Sequence, residues 1–347
     1  MKSADRRNLT IVALIGAALG VVCALARMAQ PIGIIDFQLF WYVGHGHIRD
    51  AYDPLLMTRP EAVAWAHDRH SLPYPYPPPM FLLLKPIALL PWRASFLVWS
   101  AAQVALFAVL TYRMLGWLCL LTLFSIPVIV SARIGQTGLL MSDLVLAGFL
   151  LIERRPIVAG VLLGAAGCLK PQSALAAPVA VWRSPRTYIG MALAAVALSA
   201  GSLLFGLSSW TRWLGALPGF AAVHAQGLVP ELAPSILFSS AWAKLVLGAV
   251  GILFAIAEGG LVGCVVGTAL MAPYLQLHDL ANFCVVGAMY LKRLLSTKAL
   301  RDLPMAAVGL FLMIAPTHAA VLTCGCAAII LSHVVERRAF SLELGRA

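Results

Sequence analysis

Long, continuous apolar runs separated by short polar connections make up most of the chain. A helix needs about 20 apolar residues to cross a bilayer, whereas the strands of a membrane barrel alternate in polarity. The pattern therefore predicts an all-α polytopic membrane protein with about twelve spanning helices. The spans are expected at Leu9–Met28, Ser95–Thr111, Leu115–Ser131, Leu139–Ile152, Ile157–Leu169, Ser173–Trp182, Tyr188–Phe205, Ile236–Ala255, Leu261–Leu275, Leu280–Leu291, Met305–Ile314 and Ala319–Val334.

Two regions depart from this pattern. The run Met80–Leu90 is short and is interrupted by Lys85 and Pro86, which predicts a re-entrant or interfacial segment. Between residues 156 and 182 the runs are short and contain glycine or proline. Helix boundaries are therefore least defined at 78–92 and at 156–182.

The basic residues indicate the topology, because short basic loops of membrane proteins face the cytoplasm. Basic clusters occur at residues 2–7, 153–155, 183–186, 292–298 and 336–338. With these loops inside, both chain ends are cytoplasmic. Residues 30–79 then form a first extracytoplasmic loop with short interfacial helices, and residues 207–234 form a second outer loop. We expect one integral-membrane domain over residues 1–347.

Composition agrees with this picture. Hydrophobic residues make up 61% of the 347 residues, and the mean hydropathy is +0.90. Charged residues make up only 11%, against about 25% in an ordinary soluble domain. So little charge excludes a soluble enzyme, a disordered chain and a disulfide scaffold. Much of the net charge of +11 lies in the cytoplasmic loops, so we expect no nucleic-acid partner.

The same topology places five polar residues together on the outer side, namely Asp36, Arg133, Gln136, Lys170 and His278. A carboxylate at a membrane boundary is costly, which makes Asp36 a functional candidate. An equally weighted interpretation is an N-cap for an interfacial helix over residues 37–49.

Each of the other polar residues also has a structural interpretation. Arg133 and Lys170 can extend to the membrane surface as ordinary anchoring residues. His278 can be a satisfied structural histidine, and Asp279 can orient it or cap the next helix.

A metal at His45 and His47 is the minor alternative to a hydrated histidine-rich loop, and no Asp-x-Asp motif is present. We therefore expect no metal. Tyr42, Tyr74 and Tyr76 are outer aromatic residues that suit either the membrane interface or a sugar-binding cleft.

Five motifs follow one another along the chain. They are Asp-Phe-Gln-Leu-Phe-Trp-Tyr from Asp36, Tyr-Pro-Tyr-Pro-Pro-Pro at 74–79, Arg-Ile-Gly-Gln-Thr-Gly at 133–138, Leu-Lys-Pro-Gln at 169–172 and Leu-Gln-Leu-His-Asp at 275–279. This ordered set resembles the family-87 glycosyltransferases. These are multi-span enzymes of the type C glycosyltransferase fold that use a polyprenyl-phosphate sugar, typically mannose.

The resemblance implies a function. It implies an inverting, metal-independent transfer of a sugar, most often mannose, to a glycolipid or glycan hydroxyl at the outer face of the cell inner membrane. It places the catalytic base at Asp36. His278, Arg133, Lys170 and Gln136 would bind the donor phosphate. Gln172, Tyr42 and Asp279 would bind substrate.

A multi-pass transporter or lipid flippase is the alternative function. It would use the same outer polar residues as a substrate gate. It predicts ionisable residues near the middle of spans and an internal repeat. Lys244 is one of few such residues, and no repeat is visible.

Overall fold

The computed structural model describes residues 36–53, 74–225, 232–297 and 319–344, and a few isolated positions elsewhere. These residues are helical, with no strand among them. The α-helices are α1 Asp36–Tyr42, α2 Phe81–Ile87, α3 Trp92–Leu115, α4 Cys119–Leu123, α5 Ile126–Ile134, α6 Gly138–Leu151, α7 Pro156–Leu169, α8 Ala177–Ala180, α9 Pro185–Ser202, α10 Ser208–Ala225, α11 Ala241–Glu258, α12 Gly260–Met271, α13 Ala281–Thr297 and α14 Ala319–Leu344.

Three helical stretches within this described part are long and apolar enough to cross a membrane: Trp92–Leu123, Pro185–Phe205 and Ala241–Glu258. Their outward sides are apolar, and Val196 and Leu253 are 69% and 66% exposed. Such surfaces suit lipid rather than water. The expected spans Leu9–Met28 and Met305–Ile314 fall almost entirely outside the described residues. The membrane class is thus supported, whereas the count of twelve spans stays a prediction.

The expected span Leu115–Ser131 is wrong as a single helix. It divides into α4 and α5, with Ser125 in an extended conformation between them. Pro127 in the first turn of α5 has no N–H to donate and its ring disfavours a continuous helix. The hydroxyls of Thr122 and Ser125 donate to the carbonyls of Cys119 and Thr122 and so satisfy part of the broken backbone.

The expected span Ser173–Trp182 is also wrong as a helix, since it contains only the four-residue α8 and the end of a 3-10 turn, Pro171–Ser173. The chain nevertheless returns across the bundle here. A Cβ on Gly160 would meet the carbonyl of Thr187, and one on Gly164 would meet Met191, so α7 and α9 run parallel. Residues 170–184 must therefore lead from the end of α7 back to the level where α7 began.

The two segments expected as outer loops both contain helix, which was expected in the first but not in the second. In the first segment, helical structure continues from α1 through Val43–His47 and Ile48–Asp50 with a kink at Gly46, which agrees with the expected helix over residues 37–49. The expected loop 207–234 contains the eighteen-residue α10. Trp213 of α10 donates to the carbonyl of Pro75, and Phe220 packs on Tyr274. Helix α10 therefore lies between two segments that carry the candidate site.

Candidate active site

Asp36 is the first residue of α1 and is half-buried. The Nε2 of Gln136 donates to its Oδ2 at 2.6 Å. No other hydrogen bond of this carboxylate occurs among the described residues, so no bond to the start of its own helix supports the N-cap interpretation. Burial raises the pKa of Asp36 to about 6, although the Gln136 hydrogen bond and the charge of Lys170 act in the opposite direction.

A tight turn between α5 and α6 brings Gln136 to this carboxylate. Gly135 ends α5 with φ of 68°, a left-handed conformation that favours glycine. Trp99 donates to its carbonyl at 2.9 Å, and a Cβ on Gly135 would lie 2.4 Å from the Cβ of Phe37. Because any larger residue would collide with α1, this glycine allows Gln136 and Asp36 to meet.

Tyr76 and Thr137 complete the first group. The Tyr76 hydroxyl donates to Oε1 of Gln136 at 2.5 Å, and the backbone N–H of Thr137 donates to the same oxygen at 2.7 Å. The Thr137 hydroxyl lies 2.9 Å from the Tyr76 hydroxyl. We call Asp36, Gln136, Tyr76 and Thr137 the carboxylate group. Tyr76 was expected only as an outer aromatic residue and Thr137 was not singled out, although both lie inside motifs quoted above.

A second group consists of Lys170, His278 and Asp279, and we call it the charged group. The Lys170 ammonium donates to Oδ1 of Asp279 and lies 3.4 Å from Nε2 of His278. All three side chains are almost fully buried. Asp279 also accepts the backbone N–H of Gln276 in a capping box at the start of the turn Leu277–Leu280.

The charges of this group largely cancel. Burial lowers the pKa of His278 to about 3, so its imidazole is neutral. Burial alone would raise the pKa of Asp279, but the charge and hydrogen bond of the Lys170 ammonium hold it below its ordinary value. Lys170 is therefore the only cation of the group, and the Asp279 carboxylate compensates it. Because Nε2 of His278 accepts from Lys170, the ring proton is on Nδ1.

Two contacts join the carboxylate group to the charged group. The Lys170 ammonium lies 5.8 Å from the centroid of the Tyr76 ring, within the range of a cation–π contact. A Cβ on Gly138 would lie 2.2 Å from the carbonyl oxygen of His278, so the first residue of α6 touches the turn that carries His278. The structure thus brings Gln136, Lys170 and His278 to one place beside Asp36, whereas the side of the membrane that they face stays a prediction.

The remaining candidates lie beside these two groups. Arg133 is half-buried in the last turn of α5. Gln172 is buried two residues beyond Lys170, on the 3-10 turn. Tyr42 ends α1, and its ring stacks on His47 at 4.0 Å.

The histidines of the first loop have other partners. The ring of His45 stacks on Trp41, and its Nδ1 lies 3.1 Å from the carbonyl of Ala88. Within the described part of the chain, no group of three or more His, Cys, Asp or Glu side chains is placed to hold a metal ion. His67 and His70 lie outside that part.

Comparison with known proteins gives one family. The model of glycosyltransferase family 87 matches residues 74–297. The matched range includes Tyr76, Gln136, Lys170 and His278, whereas Asp36 precedes it. No curated protein and no solved structure gives a significant match.

Proposed function

Because the chain belongs to glycosyltransferase family 87 and is a membrane glycosyltransferase, we propose that it uses a polyprenyl-phosphate sugar, with mannose as the first candidate. The acceptor is a hydroxyl of a glycolipid or glycan. The reaction inverts the anomeric centre, and Asp36 is the general base. The protein acts as one integral-membrane unit in the inner membrane, with its site at the periplasmic or outer face.

One observation carries this proposal: a half-buried carboxylate lies beside a buried lysine–histidine pair, with Tyr76 between them. A general base works best when its pKa is close to the working pH. Asp36, with its pKa raised to about 6, is mostly ionised at neutral pH, and its carboxylate can accept a proton from the acceptor hydroxyl.

In this proposal the charged group binds the donor phosphate. Polyprenyl phosphate is a good leaving group that needs hydrogen-bond donors and positive charge for its oxygens. Lys170 has three N–H donors, of which Asp279 and His278 engage two. The third N–H and the Nδ1–H of His278 would hold the phosphate. Arg133 would add a second cation, and Gln172 and Tyr42 would contact sugar or acceptor.

The decisive experiment compares Asp36→Asn with Asp50→Asn in purified, folded protein. Asp50 is a second carboxylate of the first loop, at its 3-10 turn. With polyprenyl-phosphate-mannose as donor, Asp36→Asn should lose about 10²- to 10⁴-fold in turnover, and Asp50→Asn should stay near wild type. Turnover retained by Asp36→Asn would exclude it as the base. Turnover with an arabinofuranose donor but not with mannose would change the sugar and leave the base in place.

Orientation has its own test, which uses single cysteines at exposed positions. Thr211 on α10 is expected outside, and Arg183, in the basic loop before α9, is expected inside. In intact cells a membrane-impermeant thiol reagent should label Thr211→Cys above the unmodified protein, whereas Arg183→Cys should react only after lysis. The reverse pattern would place the site at the cytoplasmic face.

A further inference from the structure

We propose that Tyr76 and Thr137 are positioning residues that act through Gln136 to determine which oxygen of Asp36 receives the proton. This inference rests on the proposed role of Asp36 as the base. It assigns a function to two residues that the expected site did not contain, and it changes the function of a third, since Gln136 was expected at the donor phosphate.

The argument starts from the orientation of the Gln136 amide. The backbone N–H of Thr137 can only donate, so the amide atom 2.7 Å from it must be the oxygen. The Tyr76 hydroxyl donates to the same oxygen, and the Thr137 hydroxyl lies 3.1 Å from it. A flipped amide would turn its NH2 toward these donors. The network therefore holds the NH2 group on the side of Asp36.

This orientation of the Gln136 amide makes the two carboxylate oxygens of Asp36 inequivalent. Nε2 of Gln136 donates to Oδ2 at 2.6 Å, so one lone pair of Oδ2 is occupied. Oδ1 has no hydrogen-bond partner among the described residues. A proton arriving at the carboxylate is therefore directed to Oδ1, and the acceptor hydroxyl must approach from that side.

The chemical step balances with this assignment. The acceptor oxygen forms a bond to the anomeric carbon as its proton passes to Oδ1 of Asp36. The bond from the anomeric carbon to the phosphate oxygen breaks, and polyprenyl phosphate leaves with the electron pair. The leaving phosphate gains one negative charge, and the proton on Asp36 is later released to solvent.

Tyr76 also makes one of the two contacts between the groups, because its ring lies 5.8 Å from the Lys170 ammonium. Removal of the Tyr76 hydroxyl alone separates its hydrogen bond to Gln136 from its ring contact with Lys170. In Tyr76→Phe the ring remains beside Lys170, while Gln136 loses one of the donors that fix its amide. In Thr137→Val the hydroxyl is lost, whereas Thr137→Ser keeps it.

Tyr74 offers a matched control two residues away. Its side chain is buried, its ring stacks on Phe81, and its hydroxyl has no hydrogen-bond partner among the described residues. Tyr74→Phe therefore removes the same hydroxyl from the same segment without touching Gln136. It should leave turnover unchanged.

The experiment measures kcat, the KM for the polyprenyl-phosphate donor and the pH profile of each full-length variant, after thermal unfolding has shown that the variant folds. We expect kcat to fall by about 10- to 100-fold in Tyr76→Phe and in Thr137→Val, with little change in donor KM. The acid limb of the profile should move to higher pH, because a weakened Gln136 hydrogen bond no longer holds the pKa of Asp36 down. Thr137→Ser should restore most of the activity.

Three results would overturn the inference. The first is wild-type kcat and an unmoved acid limb in both Tyr76→Phe and Thr137→Val. The second is a raised donor KM with unchanged kcat, which would assign both residues to donor binding. The third is an equal loss in Tyr74→Phe. If Asp36→Asn is inactive, each of these rejects only the positioning role, whereas an active Asp36→Asn variant rejects the base itself.

Discussion

The two groups of the candidate site hold their carboxylates in opposite ways. Asp36 is half-buried and contacts a neutral amide, so burial dominates and its pKa is raised to about 6. Asp279 is more deeply buried and contacts an ammonium group, so its pKa is held below the ordinary value. A carboxylate held by neutral donors can exchange a proton near neutral pH, whereas one paired with a cation cannot. The comparison favours proton transfer at the carboxylate group and phosphate binding at the charged group.

The largest expected effect is the loss of stability when the Lys170–Asp279 ion pair of the charged group is broken. Lys170→Met leaves the Asp279 carboxylate buried without its cation, and the loss of one partner of a buried ion pair costs about 3–5 kcal/mol. Gln136→Leu removes a neutral amide, which donates to half-buried Asp36 and accepts from Tyr76 and Thr137, and should cost about 1–3 kcal/mol. Thermal unfolding of the purified proteins compares the two. The double variant Lys170→Met with Asp279→Asn should regain much of the stability but not the activity, and equal losses in the two single variants would remove the distinction between the groups.

The next largest effect is expected from replacing a glycine beside one group, so that the added Cβ displaces that group alone. Gly138→Ala pushes on the carbonyl of His278, and Gly135→Ala pushes on Phe37 beside Asp36. Because a displacement of about 1 Å can cost about 100-fold in rate, we expect a raised donor KM in Gly138→Ala and a lowered kcat in Gly135→Ala. Gly167→Ala is the control, since a Cβ there meets nothing within 4 Å. Identical kinetic changes in the two site variants would show that the groups move as one unit.

The pH profile of the reaction distinguishes titration of Asp36 in the carboxylate group from titration of His278 in the charged group. Protonated Asp36 cannot accept a proton, so kcat/KM should rise with pH to a midpoint near 6 and level off above it. Below the midpoint the change should be about tenfold per pH unit. His278 is neutral throughout this range, so His278→Gln should lower the rate without moving the midpoint. A shift of the midpoint in His278→Gln would transfer the titration to the charged group.

The smallest expected effect concerns metal. His45 and His47 have ring partners of their own, so the double variant His45→Ala, His47→Ala should retain activity within about twofold. Chelation with EDTA should likewise leave the rate unchanged. Activity lost with EDTA and restored by added Mn²⁺ or Mg²⁺ would show that a metal compensates the donor phosphate in place of Lys170 alone.

The sequence predicted the helical membrane class, and the motifs singled out from it lie in the segments that meet in the candidate site. Continuous apolar runs identify α3, α9 and α11 because a spanning helix requires such a run. The basic loops determine the parity of the spans, and parity alone places Asp36, Lys170 and His278 on one side. These features depend on composition along the chain, which a single sequence contains.

Other features depend on contacts between distant segments and were missed. A buried irregular segment can be as apolar as a spanning helix. Ser173–Trp182 therefore resembled a span, although the chain there forms only short helical turns. The partner of Gln136 was also hidden. An amide is neutral and can serve a phosphate or a carboxylate equally well, and only the turn at Gly135 directs it to Asp36.

The glycine contacts between α7 and α9 restrict the route by which the proposed lipid-linked donor could reach Lys170. A Cβ on Gly160 would lie 1.9 Å from the carbonyl of Thr187, and one on Gly190 would lie 2.0 Å from the carbonyl of Ile157. Backbones this close leave no room for an acyl or prenyl chain between the two helices. Lys170 directly follows α7, so a polyprenyl tail cannot pass through this seam. The proposed lipid donor would therefore have to approach Lys170 along another side of the bundle.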